Sequence, residues 1–387
     1  MLTSLGLTPS FGFGDRLGLA TPGHIAAVKN TGLAPIFAQQ SVRENTRTGR
    51  TPQQVLNDAR RAVDAAKWDA PWGADADHLK SIDDLPPFVA AGYTFFTVDP
   101  GEYVDNAADT DSFSVLQGKI SSRAWDDHSE YYLPTDEHLG FGAFSSETLL
   151  RALVKYGRAI NHTVAMYRRL AEIKETFDFE VSVDETDAPT TPLEHYFIAN
   201  ELTRQGVRFT SLAPRFIGRF EKGVDYIGDL AALDAEMALH ASVTTHFGTY
   251  KLSLHSGSDK FSVYPLIVKH WGNRLHVKTA GTSYLEALRA LAVREPALFE
   301  RIWALGLERY PVDRASYHVS ADIKQVPMNL GLPALLDDFH AREILHVTYG
   351  SALKQFGSEI RSALVKHTDE YNTNLNNHFR KHLDLLK

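Results

Sequence analysis

Apolar residues along this chain fall into short alternating runs, each ending in polar residues or glycine and most followed by a stretch of helical period. The runs are SFGFGDR (10–16), PIFAQQS (35–41), WGADADH (72–78), FFTVDPG (95–101), FEVSVDE (179–185), FTSLAPR (209–215), KLSLHSG (251–257) and LHVKTAG (275–281). Alternation with period two marks an extended strand with one apolar and one polar face. About eight strands separated by helices is the number that closes a barrel, so the pattern predicts an α/β fold of the (β/α)8 TIM type. Several helices also announce their starts. TPQQVLNDARRAVDAA and TPLEHYFIANELTRQG each place Thr at the N-cap, Pro at the first helical position, and Gln54 or Glu194 where a capping box needs it. An open doubly wound sheet is the structural rival, but GFGDRLG after the first strand does not match its glycine-rich phosphate fingerprint.

The regular spacing breaks twice. Residues 102–145, between the fourth and fifth strands, are too long for an ordinary loop and predict an insertion or lid. Residues 338–387 read as a C-terminal helical extension, which leaves residues 1–387 as a single decorated barrel domain. With 387 residues, 43% of them hydrophobic, one large core is readily filled. The formal net charge of -8, without any basic block, argues against nucleic acid or an anionic membrane surface as partner. No apolar stretch reaches the roughly 20 residues that span a bilayer, and MLTSLGLTPSFGFGDR has no basic segment followed by an apolar one. The expectation is a cytoplasmic protein acting on a small molecule, with homo-oligomerisation left open.

The chain has no cysteine, which removes disulfides, thiolate zinc sites, iron–sulfur clusters and cysteine nucleophiles together. Its 17 histidines leave imidazole and carboxylate as the strong metal ligands on offer. Barrel enzymes work at the C-terminal ends of their strands, and the ionisable residues gather there: Asp15, Arg16, Gln39, Gln40, Asp75, Asp77, His78, Asp99, Glu180, Asp184, Glu185, Arg215, His255, Asp259, His276 and Lys278. In FEVSVDE, Val181 and Val183 face the helices and turn Glu180, Ser182 and Asp184 inward; in LHVKTAG the same rule turns His276 and Lys278 inward. His255 and His276 then lie on neighbouring strands, roughly 5 Å apart in backbone, close enough to share a cation. His78 or a carboxylate of the fifth strand is available as the third ligand of an open, catalytic site. Glu180, between Phe179 and Val181, must be paired, protonated or metal-bound, since burying it bare costs several kcal/mol; Lys251 and Lys278 are its candidate structural partners.

Beyond these patterns, SFGFGDRLGLATPGH, IFAQQSVRENTRTGRTP, GADADH, FEVSVDETDAPTTP, LHSGSDKFSVYP, HVKTAGTSYLEA and LHVTYGSAL together resemble the tagaturonate epimerase family. These are bacterial enzymes that interconvert D-tagaturonate and D-fructuronate. The resemblance implies a divalent metal (Zn, Mn, Fe, Co or Ni) and a hexulosonate substrate. It implies Asp77 as proton acceptor, Glu180 as proton donor, and His78, His255 and His276 as metal ligands. Asp15, Arg16, Gln40, Asp184 and Lys278 are the residues expected to contact substrate, with Arg16, Lys278 or Arg215 as a cationic clamp for its carboxylate. The expected chemistry is a retro-aldol through a metal-stabilised enediolate. The rivals are a Schiff base on Lys278 or Lys251 and a uronate-binding protein without turnover.

Overall fold

The computed structural model describes residues 1–133 and 140–387. Each of the eight runs overlaps a strand: β1 (Ser10–Gly14), β2 (Ala34–Ser41), β3 (Gly73–Leu79), β4 (Phe95–Val98), β5 (Asp178–Ser182), β6 (Ser211–Ala213), β7 (Lys251–Leu254) and β8 (Leu275–Thr279). They pair in parallel with their sequence neighbours, and β8 returns to β1, closing the barrel. Helices alternate with the strands. The two helices with Thr-Pro starts, Pro52–Ala65 and Pro192–Arg204, both carry complete capping boxes, Thr51 with Gln54 and Thr191 with Glu194.

The outward strand residues, among them Phe11, Phe13, Phe96, Val98, Val181, Leu252, Leu254, Leu275 and Val277, pack under the helices as one continuous core. The barrel interior is different. Asp75, Thr97, Glu180, Ser211, Lys251, Ser253, His276 and Lys278 are all buried there. Ionisable groups at that depth are tolerable only when paired, because an isolated buried charge costs several kcal/mol.

At the N-terminal end the barrel is closed by such pairing. The Asp178 carboxylate accepts the backbone N–H of Leu5 at 2.6 Å and of Gly6 at 3.0 Å, and Lys251 donates to the Thr8 carbonyl at 2.8 Å and to Ser10 at 3.0 Å. Between β4 and β5 the chain forms helices Phe113–Gly118 and Ser122–Tyr132, then the long Ser146–Ile173. Leu116 and Ala108 seat the first part of this insertion on Leu150 and Val154 of the long helix. Residues 134–139 of the expected insertion or lid lie outside the described residues.

After β8, helices Phe339–Val347, Tyr349–Lys366 and Thr368–Asp384 form the C-terminal extension. The last of these returns to the start of the barrel, where Phe379 packs edge-on against Phe11, Phe13 and His24. No helix among the described residues is long and apolar enough to cross a membrane.

Candidate active site

The C-terminal mouth of the barrel is organised around one cation. The Lys278 ammonium, on β8, lies 2.6 Å from Asp75, 2.8 Å from Asp77 and 2.8 Å from Glu180. Thr97 of β4 is the polar member of an otherwise apolar strand; its hydroxyl bonds Asp75 at 2.9 Å, approaches Glu180 at 3.3 Å, and accepts from Lys278. Ser211 of β6 donates to the other oxygen of Glu180 at 2.5 Å. Five strands thus hold one buried charge network.

Its electrostatics follow from proximity. Burial alone would depress Lys278, but the three carboxylates reverse that and hold it above the ordinary lysine range. Burial would raise Asp77 and Glu180; Lys278, joined by His78 for Asp77 and His255 for Glu180, pulls both well below the usual carboxylate range. Asp75 has the same cation but faces Asp77 and Glu180 as like charges, and burial carries it up to about 7.

Two histidines stand above this network. His78 Nδ1 bonds Asp77 at 3.0 Å, and its Nε2 is 3.7 Å from Asp184. His255 Nε2 bonds Glu180 at 2.7 Å, and its Nδ1 is 3.3 Å from Asp184 and 3.3 Å from Ser182. The rings are 5.1 Å apart, and ligand atoms of His78, His255 and Asp184 all lie within 4.8 Å of one another. A carboxylate on one nitrogen, with the other nitrogen turned to the shared cluster, is how metal-binding imidazoles are oriented. Both rings have it. Two imidazoles and a carboxylate also make the three-ligand count of a catalytic site, so the residues present fit a divalent cation. Burial lowers His255 and His78, and their carboxylate neighbours outweigh it and raise both.

Adjacent residues of a regular strand face opposite ways, yet Asp77 and His78 serve the same site. A bulge explains it. The β3–β4 register passes from Ala76 opposite Phe96 to Leu79 opposite Val98, one residue too many on β3, and His78 adopts φ 52°, a left-handed backbone. Ser256 and Asp259, in the loop after His255, are likewise left-handed at φ 51° and 61°. Non-glycine residues held there store roughly 1 kcal/mol or more each, a strain that clusters at functional sites.

A family model for tagaturonate epimerases (UxaE) matches residues 3–386. The chain belongs to the tagaturonate epimerase family. It is 44% identical to the tagaturonate/fructuronate epimerase of Thermotoga maritima, covering 99% of this chain and 81% of that one. It superposes with a TM-score of 0.96 on the native and the glycerol-complexed crystal structures of fructuronate-tagaturonate epimerase from Cohnella laeviribosi, at 38% identity over 100% of this chain and 83% of each of those.

Against the expected site of a tagaturonate epimerase family member, the structure brings together Asp77, His78, Glu180, Asp184, His255 and Lys278. It does not bring His276 to the other two histidines. Ser253 pairs with His276 and Leu254 with Val277, so His255 continues opposite Lys278, two residues above His276. His276 Nδ1 instead meets the Ser10 hydroxyl at 2.9 Å, the ring lies on Phe95, and burial drives it down to about 3. The third residue grouped with His78 and His255 is Asp184.

Asp15, Arg16 and Gln40 are also turned elsewhere. The Asp15 carboxylate accepts the backbone N–H groups of Leu17, Gly18 and Ala20 and so shapes the turn after β1. Arg16 is buried, bonds Glu44 at 2.8 and 2.9 Å, and stacks on Tyr349 at 3.6 Å. Gln40 bonds Thr48 and Arg50 on the outside of β2; the inward glutamine is Gln39, whose amide lies where a side chain on Gly12 would be. Asp259 is held outside the cluster by Arg342, His378 and the C-terminal helix. Thr97 and Ser211 went unnoticed in the sequence, where the only signal was a lone hydroxyl in each apolar strand.

Proposed function

We propose that this chain interconverts D-tagaturonate and D-fructuronate by breaking and remaking the bond between C3 and C4, counted from the carboxylate. The observation that carries the reading is that Asp77 and Glu180, two buried carboxylates, each lie 2.8 Å from the single ammonium of Lys278 at the barrel mouth of a family member.

The two sugars differ at C3, which is β to the ketone at C5, so deprotonation next to the ketone does not reach it. Breaking C3–C4 does. Asp77 takes the proton of the C3 hydroxyl, the C3–C4 electron pair passes into the ketone as an enediolate, and C3 becomes an aldehyde. The aldehyde turns and presents its other face, the electron pair returns to C3, and the new C3 oxygen takes a proton from Glu180. Both carboxylates rest ionised, so the proton must cross between them. Lys278, bonded to both, hands a proton to Glu180 as it receives one from Asp77, and the site is restored with no net change. In the opposite direction the two carboxylates exchange parts. A divalent cation (Zn, Mn, Fe, Co or Ni) held by His78, His255 and Asp184 would supply Lewis-acid charge for the substrate oxygens that turn negative.

Proton NMR of the protein with D-fructuronate in heavy water tests the reading. Tagaturonate should form with its C3 hydrogen retained, and chelation should stop it. Deuterium entering C3 at the rate of epimerisation would refute the bond-breaking route, and absence of product with every divalent metal would refute the substrate.

A further inference from the structure

Beside the His78, His255 and Asp184 cluster opens a cavity of about 480 Å³ on the C-terminal face. Asp184 and His255 line it, and so do the cations Arg43, Arg215, Arg219 and Lys222 with the acids Glu185 and Glu221. Two of these cations are already balanced, Arg43 by Glu185 at 3.6 Å and Arg219 by Glu221 at 3.4 Å. The other two make no ion pair among the described residues, although Lys222 acts on Glu185 through space. Among the described residues Lys222 bonds only the Ser256 hydroxyl, at 2.7 Å, and the Arg215 guanidinium has neither an ion pair nor a hydrogen bond.

Resting on the uronate reading, we propose that Arg215 and Lys222 clamp the substrate's carboxylate and set the preference for a sugar acid over a neutral ketose. Arg215 follows β6 by two residues, between β5 and β7, the strands that Asp184 and His255 follow. Its backbone is fixed there, donating to the Thr190 hydroxyl at 3.1 Å and accepting from the Thr190 N–H at 2.8 Å. The side chain is partly buried, so an unpaired charge is poorly solvated and an anion would complete it. Lys222 reaches the residue that follows His255, whose left-handed φ of 51° keeps that hydroxyl in place. A planar fork beside a point charge suits a carboxylate. The substrate's carboxylate lies two carbons from C3, and His255, which bonds Glu180, also lines this cavity, so a C3–C4 bond held at Asp77 and Glu180 leaves the carboxylate at the cavity's edge. The other expected cations, Arg16 and Lys278, already have carboxylates of their own.

The test compares Arg215→Met and Lys222→Met with wild type in two assays: steady-state epimerisation of D-fructuronate, and competitive inhibition by D-fructose, which has a hydroxymethyl group where the uronate has its carboxylate. Loss of a charge-assisted pair should raise KM for fructuronate roughly 100-fold in R215M and roughly 10-fold in K222M, with Ki for fructose within about twofold of wild type. An unchanged KM for fructuronate in R215M would overturn the clamp. So would parallel rises in KM and in the fructose Ki, which would mean a damaged site and no charge recognition. If wild type itself does not epimerise fructuronate, the function reading falls first and the clamp with it.

Discussion

Replacing Lys278 by Met would leave Asp75, Asp77 and Glu180 facing one another without the cation that now lies 2.6 to 2.8 Å from each. All three are buried, Asp75 and Glu180 completely. Breaking a buried pair by deleting one partner costs roughly 3–5 kcal/mol, because the surviving charge is desolvated and unbalanced. At about 2.1 cal/mol/K per residue, a 387-residue chain has an unfolding entropy near 0.8 kcal/mol/K, so Tm should fall by about 4–6 °C at pH 7.5. The pH dependence is the sharper part. In the variant the orphaned carboxylates have folded pKa values raised above their unfolded ones. They therefore bind more protons when folded, and stability is lost as pH rises through the raised values. The deficit relative to wild type should accordingly be largest at pH 7.5 and shrink by at least about half at pH 5. Differential scanning calorimetry of both proteins in chelator, at the two pH values, measures this. A deficit of equal size at pH 5 and pH 7.5, or none, would show that Lys278 is not the counter-charge of the mouth.

Asp184→Asn and His255→Ala should lose bound metal and activity together, while His276→Gln keeps stoichiometric metal by elemental analysis; the reverse pattern would return His276 to the ligand set. Glu180→Gln, which removes the carboxylate behind His255, should weaken metal binding by roughly 10–100-fold in a competition titration. Borohydride added during turnover should trap no substrate adduct detectable by mass spectrometry, since Lys278 is held as an ammonium by three carboxylates and Lys251 points to the opposite end of the barrel. Glu343 is buried, accepts the Ala321 N–H at 2.9 Å and faces Glu221; burial and that neighbour push it up to about 8. A raised folded pKa means that stability falls as pH climbs toward and through 8, so Glu343→Gln should flatten the Tm profile between pH 6 and 9 and melt higher than wild type at pH 9.

What could be read from the sequence, and what could not, divides along a geometric line. Alternation states which face of a strand a residue occupies, and it placed Glu180, Asp184, His255 and Lys278 inward correctly, as the network around Lys278 shows. It carries no information about height. His255 and His276 share an inward face on neighbouring strands, yet the β7–β8 register sets them two residues apart along the barrel axis, and the deeper one is left to Ser10 and Phe95. Register in a closed barrel is fixed by the tilt and stagger of all its strands, so no local pattern encodes it. Bulges are the second blind spot. The extra residue in β3 turns His78 to the side of Asp77, against the alternation. An irregularity of the β2 pairing between Ile36 and Ala38 accompanies the exchange of Gln40 for Gln39 as the inward side chain. Of the two irregularities, that of β2 lies opposite the start of β3, whereas the bulge of β3 lies at the mouth, where neighbouring side chains converge. The same bulge that hides His78 from a periodic reading lets Asp77 and His78 sit one residue apart and still meet at one point.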